Sequence, residues 1–133
     1  MGVIVVDSSV LISVLDDSQS THQRAKQELA IAAQNSEFII PAVAFSETLV
    51  DPYRTSLEQG RLVESRIRRL GRIEAVTEEI SSRAAQLRAK RKLKLPDALI
   101  IATGIELHVS EILTFDKDWK TLDSCIRVLA LTP

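Results

Sequence analysis

Short apolar segments alternate with longer helical patterns along this chain, and this alternation limits the fold more than any other feature. The first segment, residues 3–6, contains only valine and isoleucine and stops at Asp7. Strands that are apolar on both sides are typical of parallel sheets covered by helices. Further strands are predicted at residues 37–40, 73–76, 111–114 and 127–131. The pattern therefore predicts a three-layer α/β/α domain with a mainly parallel sheet of about four to five strands.

Capping residues, apolar periodicity and helix breakers indicate the helices. Ser20 followed by Gln23 fits a capping box for a polar helix that runs to about residue 35. Pro41 is expected in the first turn of the next helix, which Asp51 and Pro52 should break. Other helices are predicted to begin near residues 8, 55, 77 and 96. The last is apolar nearly all round, which indicates a central, buried helix.

The composition fits one soluble globular domain over residues 1–133, since 45% of the residues are hydrophobic and 26% charged. The single Cys125 excludes an intrachain disulfide and a cysteine-rich zinc site. A formal net charge of −1 gives no overall basic field, so any contact with nucleic acid would need a local patch. We expect a cytoplasmic protein, because the apolar start is broken by Asp7 without a basic leader and no stretch is long enough to span a membrane.

Four acidic residues fall where a site can form at one edge of the sheet. Asp7 follows the first strand, Asp116 follows the strand at 111–114, Asp97 opens the buried helix, and Glu47 lies two turns into the helix after the second strand. In open α/β sheets the working site lies beyond the carboxyl ends of the strands. Taken singly, each acid is better explained by a structural role: Asp7 and Asp116 as helix caps, Asp97 by the helix dipole and Glu47 by a solvent-facing position.

Carboxylates that converge need a cation. Two unit charges at about 4 Å repel each other by about 4 kcal/mol at an effective dielectric near 20. Oxygen ligands favour Mg²⁺ or Mn²⁺ over zinc, since neither His22 nor His108 falls in a cluster with the acids. Such an ion can activate a water and neutralise charge on phosphate oxygens, so an acid-only site indicates phosphodiester hydrolysis.

Four segments carry a family resemblance: VIVVDSSVLISVL, FIIPAVAFSETLV, LKLPDALIIATGIEL and ILTFDKDW. In order and separation they resemble the four acidic motifs of PIN-domain nucleases, and the chain length is similar to that of VapC-type toxins of toxin–antitoxin pairs. The resemblance implies that Asp7, Glu47, Asp97 and Asp116 bind Mg²⁺ or Mn²⁺ and position a water for RNA cleavage. It implies supporting roles for three neighbours of these acids, Ser9, Thr114 and Asp118.

The resemblance also implies partners. VapC-type toxins are held in check by an antitoxin protein and commonly form homodimers. The helix predicted at 55–70 is expected to place Leu57, Leu62, Ile67 and Leu70 near one side, which suits either a second copy or the core of the domain itself.

Two basic clusters are candidates for binding RNA or the acidic tail of an antitoxin. The first packs five cations into seven residues just before Asp97: Arg88, Lys90, Arg91, Lys92 and Lys94. It is predicted to guide the RNA backbone, although cations at a helix C-terminus also favour the helix dipole. The second cluster contains Arg66, Arg68, Arg69 and Arg72 and is more ambiguous.

Competing functions fit the sequence less well. A haloacid-dehalogenase-like phosphatase needs a second Asp where Ser9 stands, and a phospho-receiver domain needs an acid pair near the first strand. The four glycines form no phosphate-binding loop. The remaining alternative is a catalytically silent module that binds RNA or a protein.

Overall fold

A five-stranded parallel sheet forms the centre of the computed structural model, which describes residues 2–130. Its strands lie in the spatial order β3-β2-β1-β4-β5. In chain order they are β1 (Gly2–Val6), β2 (Ser36–Pro41), β3 (Arg72–Glu74), β4 (Glu111–Thr114) and β5 (Ile126–Val128). The predicted α/β/α architecture and strand number are confirmed. The last predicted strand is shorter than expected, and its residue Leu131 lies outside the described residues.

Six α-helices and one 3₁₀ turn connect and cover the strands. They are α1 (Ser8–Leu15), α2 (His22–Ala32), α3 (Ala42–Thr55), α4 (Leu57–Leu70), α5 (Glu78–Lys90), α6 (Leu95–Glu106) and the turn Lys117–Trp119. Within residues 2–130, no helix is long and apolar enough to cross a membrane.

Three predicted helix boundaries are wrong. Pro41 ends β2 and caps α3 instead of lying in its first turn, and α3 continues through Pro52 to Thr55. Only the hydrogen bond to the Thr48 carbonyl is lost at Pro52, near the end of the helix, and α3 packs along α4 there. The Ser20 capping box is absent, because α2 starts at His22 after Thr21 without a side-chain cap.

The core lies where β1 and α6 meet. Val5 is fully buried and pairs with Ile39 of β2 on one side and Ile112 of β4 on the other. Ile100 and Ile101 of α6 are also fully buried, which confirms the central helix. A side chain at Gly104 would collide with Ile112, so the glycine lets α6 approach β4 closely. This packing fixes α6, and with it Asp97, against the sheet.

A buried carboxylate joins α2 to the edge strand β5. Glu28 is 6% exposed and forms ion pairs with Arg24 at 2.9 Å and with Arg127 at 3.0 Å. Arg127 also lies 3.8 Å from Glu111. The second cation compensates for the desolvation of Glu28, since a single buried charge without partners is costly.

Candidate active site

The carboxyl ends of β1 and β4 bring the first and last predicted acids to one edge of the sheet. Val6 pairs with Leu113, and the Asp7 amide donates to the Leu113 carbonyl at 3.0 Å. Asp7 caps α1, and Asp116 caps the 3₁₀ turn that follows β4. Parallel pairing therefore places the two acids side by side at the strand ends.

Hydroxyl and amide donors hold Asp7 from both sides. Its Oδ2 accepts the hydroxyls of Ser9 and Thr114, each at 2.7 Å, and its Oδ1 accepts the Ser8 amide at 2.8 Å. Burial raises the pKa of Asp7, and these hydrogen bonds oppose the rise. Because Oδ2 has two full hydrogen bonds, Oδ1 is the oxygen with room for a further ligand.

Thr114 and Ser9 also link the two strand ends to each other. The Thr114 hydroxyl accepts the Asp116 amide at 3.0 Å, and the Ser9 hydroxyl accepts the Phe115 amide at 3.1 Å. Thr114 is fully buried. Each hydroxyl donates to Asp7 and accepts from the chain after β4, so the network fixes Asp7 relative to Asp116.

Asp97 shows that the acids share one electrostatic environment. It lies in the first turn of α6, and burial is the largest cause that raises its pKa, to about 6. The negative charges of Asp7, Asp116 and Glu47 raise the pKa further, whereas Lys94 lowers it. The structure thus brings all four predicted acids close enough to interact through their charges.

Glu47 is the exposed member of the group and comes from a different element. Its carboxylate Oε1 accepts the Ser8 hydroxyl at 3.1 Å. Ser8 was not predicted as a site residue, because a serine directly after Asp7 looks like part of a helix start and nothing local indicates a contact 39 positions away. Asp118, by contrast, contributes its backbone amide to Asp116 Oδ1 at 2.9 Å, while its side chain is exposed.

A family model for the PIN domain matches residues 4–124. The chain belongs to the PIN domain family. The predicted resemblance to PIN-domain nucleases of toxin–antitoxin pairs is confirmed by this match and by a 26% identical structure described below, and it supports a nuclease. PIN nucleases generally use divalent metals.

Several solved structures share the fold of this PIN domain. A toxin–antitoxin complex from Klebsiella pneumoniae is 26% identical, with a TM-score of 0.72, over 94% of this chain and 96% of that chain. VapC20 from Mycobacterium tuberculosis, a toxin that cleaves the sarcin-ricin loop, is 19% identical with a TM-score of 0.75, over 96% and 99%. VapBC2 from Rickettsia felis, bound to a promoter DNA fragment, is 12% identical with a TM-score of 0.79, over 96% and 99%. A comparison with curated protein sequences finds no significant match.

The first basic cluster of the PIN domain divides into structural and exposed cations. Arg88 at the end of α5 donates to the Leu93 carbonyl at 3.1 Å and so closes the loop before α6. Lys94 precedes α6 and acts on the charge of Asp97. Lys90, Arg91 and Lys92 are exposed, with no ion pair within the described part of the chain. The segment before α6 therefore carries exposed positive charge, and its last cation, Lys94, acts on the acidic site.

The second basic cluster is largely engaged locally. Arg68 pairs with Glu64 at 3.5 Å and lies over the Phe45 ring at 5.3 Å, and Arg72 pairs with Glu74 at 3.4 Å. Arg69 bonds Ser65 one turn back along α4, at 3.2 Å through its side chain. Arg66 lines a cleft of about 630 Å³ between α1, α3 and α4, and Glu47 lines the same cleft. Of the four site acids, Glu47 therefore lies at this cleft.

The apolar residues of α4 do not share one side as expected. Gly60, Val63 and Ile67 face the core, because they follow the three- and four-residue spacing of one helical stripe. Leu57 is 58% and Leu62 41% exposed.

Proposed function

We propose that this PIN domain is a Mg²⁺- or Mn²⁺-dependent endoribonuclease and the toxin of a VapBC-type pair. The observation that carries the proposal is Asp97, whose pKa is raised to about 6 by burial and by three other acids at the same edge of the sheet. A stable fold gains nothing from four mutually repelling carboxylates. A bound divalent cation would offset the repulsion among these four carboxylates.

The donor set fits a hard divalent cation. All four groups are carboxylates, and Lys94 is a cation that acts on the Asp97 charge. Within residues 2–130, no three acidic, histidine or cysteine side chains are close enough to enclose an ion by themselves. Mg²⁺ keeps several waters and takes one or two carboxylates from a protein, so acids at this spacing can hold it partly through water.

The acidic residues would have different roles in hydrolysis. When bound, the cation lowers the pKa of a water and neutralises charge that develops on the phosphate oxygens. Asp7, held by Ser9 and Thr114, presents Oδ1 in one orientation. Asp97 in the first turn of α6 adds a second carboxylate that would face the cation. Glu47 from α3 and Asp116 from the turn after β4 would supply the remaining carboxylates.

We assign the RNA path to the loop between α5 and α6. Lys90, Arg91 and Lys92 are free to contact phosphates, and Lys94 lies next to Asp97. Arg88 supports this loop through its bond to the Leu93 carbonyl. The attraction is sequence-independent and falls as salt rises.

As a toxin, this chain would have two protein partners, an antitoxin and a second copy of itself. The 26% identical Klebsiella structure is a toxin–antitoxin complex, which supports an antitoxin as partner of this chain. Exposed apolar side chains on α3 and α4 support a homodimer: Val50, Tyr53, Leu57 and Leu62. Light scattering of the purified protein measures the dimer directly, and a cytoplasmic toxin should arrest growth when it is expressed without its antitoxin.

Cleavage of a mixed RNA pool tests the proposed function. We expect Mg²⁺-dependent cuts that EDTA stops and that Glu47→Gln abolishes. The matched control Glu37→Gln should retain them, because Glu37 is exposed and lies in β2 near the amino ends of the strands, away from the acids. End-mapping identifies the target. Intact RNA with every substrate, including structured tRNA and rRNA, together with retained RNA binding would support the silent module instead.

A further inference from the structure

We propose that Ser8 is a positioning residue that fixes Glu47 relative to Asp7 in the acidic site. This inference rests on the proposed function, because it concerns how the same acids are held for a cation. Ser8 contacts both carboxylates: its amide donates to Asp7 Oδ1 at 2.8 Å, and its hydroxyl donates to Glu47 Oε1 at 3.1 Å. One residue therefore connects the acid that follows β1 with an acid of α3.

The two donors of Ser8 have different tasks. The hydroxyl also lies 3.4 Å from Asp7 Oδ1, but it has a single proton to donate. The shorter distance to Glu47 makes Glu47 the acceptor of the hydroxyl proton. Loss of the hydroxyl would leave the Asp7 contact through the amide intact.

Glu47 depends on this hydroxyl because it has no other fixed partner. It is exposed, and within residues 2–130 no other hydrogen bond and no salt bridge reaches its carboxylate. A glutamate has three rotatable side-chain bonds, so without Ser8 its carboxylate would sample many positions in the adjoining cleft. Ser8 selects the position that faces Asp7.

Mn²⁺ affinity of the whole chain, measured by electron paramagnetic resonance, tests the role without any RNA. We expect Ser8→Ala to weaken Mn²⁺ binding about tenfold, the lower end of the effect seen for hydrogen-bond partners of metal ligands. Ser8→Thr keeps a hydroxyl and should restore the affinity. Ser46→Ala removes a neighbouring exposed hydroxyl that does not contact Glu47, and should leave the affinity unchanged.

The Glu47→Gln background separates this role from a general effect on the fold. If Ser8 acts through Glu47, Ser8→Ala should weaken Mn²⁺ binding much less in that background than in the wild type. Equal affinity of wild type and Ser8→Ala overturns the inference, as does an undiminished effect in Glu47→Gln. A wild-type protein that binds no Mn²⁺ and cleaves no RNA overturns the proposed function itself.

Discussion

Asp97 is the residue whose protonation state reports most directly on the site. Its folded pKa of about 6 exceeds the ordinary value of 3.8. The folded state therefore penalises the ionised form, fully above pH 6 and less as pH falls, until the penalty is gone below the unfolded pKa. This sign is opposite to that of a salt-bridged aspartate.

Asp97→Asn should therefore stabilise the metal-free protein at pH 8. We expect a gain of about 1 kcal/mol after allowance for solvent screening at this partly exposed side chain, or about 3 °C in Tm. The gain should shrink towards pH 4, and saturating Mg²⁺ should reverse the order of wild type and variant. Thermal unfolding in EDTA at several pH values measures it, with exposed Asp17→Asn as the control. A lower Tm for Asp97→Asn at pH 8 would contradict the electrostatic account.

Thr114 is the residue on which the hydrogen-bond network depends most. Thr114→Val removes the donor to Asp7 Oδ2 and leaves the Asp116 amide without its acceptor. We expect destabilisation of about 1 to 3 kcal/mol, because buried polar groups lose their partners. Thr103→Val is the matched control, since Thr103 is equally buried but donates only to the Leu99 carbonyl of its own helix. Urea unfolding should rank Thr114→Val clearly below Thr103→Val.

The sequence predicts which residues enter the site better than it predicts how they are held. Asp7 and Asp116 follow from the rule that parallel strands end at one edge, Asp97 from its place at the start of the buried helix, and Glu47 from its place in the helix after β2. Ser8 and the role of Arg88 in closing its loop could not be predicted. Both contacts depend on how separate elements pack, which local patterns do not encode.

At the scale of elements, the connection of α2 to β5 has a measurable contribution to stability. Arg127→Met would leave buried Glu28 with Arg24 alone. We expect a loss of about 1 to 2 kcal/mol, less than for a fully unpaired buried charge because Arg24 remains. The control Arg72→Met breaks an exposed pair with Glu74 on edge strand β3 and should be close to neutral. Equal losses in denaturant unfolding would show that burial of Glu28 is unimportant.

Element boundaries show where local patterns stop being sufficient. The sequence predicts β4 to the residue and the Thr77 cap of α5, whose hydroxyl accepts the Ile80 amide at 3.1 Å. It fails at Pro52, where packing of α3 against α4 outweighs a lost hydrogen bond. The prediction of a capping box at Ser20 also fails, because α2 begins at His22 and the residue before it is Thr21.

At the scale of the whole molecule, charge is separated although the net charge is only −1. The acids lie at one edge of the sheet, Lys94 acts on the charge of Asp97, and the exposed cations Lys90, Arg91 and Lys92 precede Lys94 in the chain. This arrangement suits a polyanion that is attracted by the loop and cut at the acids. Only the three-dimensional placement reveals it, because the overall composition is balanced.

Neutralisation of the loop should weaken RNA binding in a salt-dependent way. In the Asp97→Asn background, a triple change of Lys90, Arg91 and Lys92 to Gln should reduce RNA affinity at low salt. The slope of log affinity against log salt should fall by about 2, as expected for three phosphate contacts on a single strand. A triple change to Gln of exposed cations outside both basic clusters, at Lys26, Arg54 and Arg61, is the control. Fluorescence anisotropy measures both, and identical slopes would exclude the loop as the RNA path.

The central claim is that the four acids form one divalent-metal site, and anomalous diffraction from crystals soaked with Mn²⁺ tests it most directly. We predict an anomalous peak at the carboxyl edge of the sheet whose nearest protein atoms are carboxylate oxygens of Asp7 and of Asp97 or Asp116. The same soak of Asp97→Asn crystals should lose or weaken the peak. Mn²⁺ bound elsewhere, or no peak among these acids at concentrations that support RNA cleavage, would contradict the account.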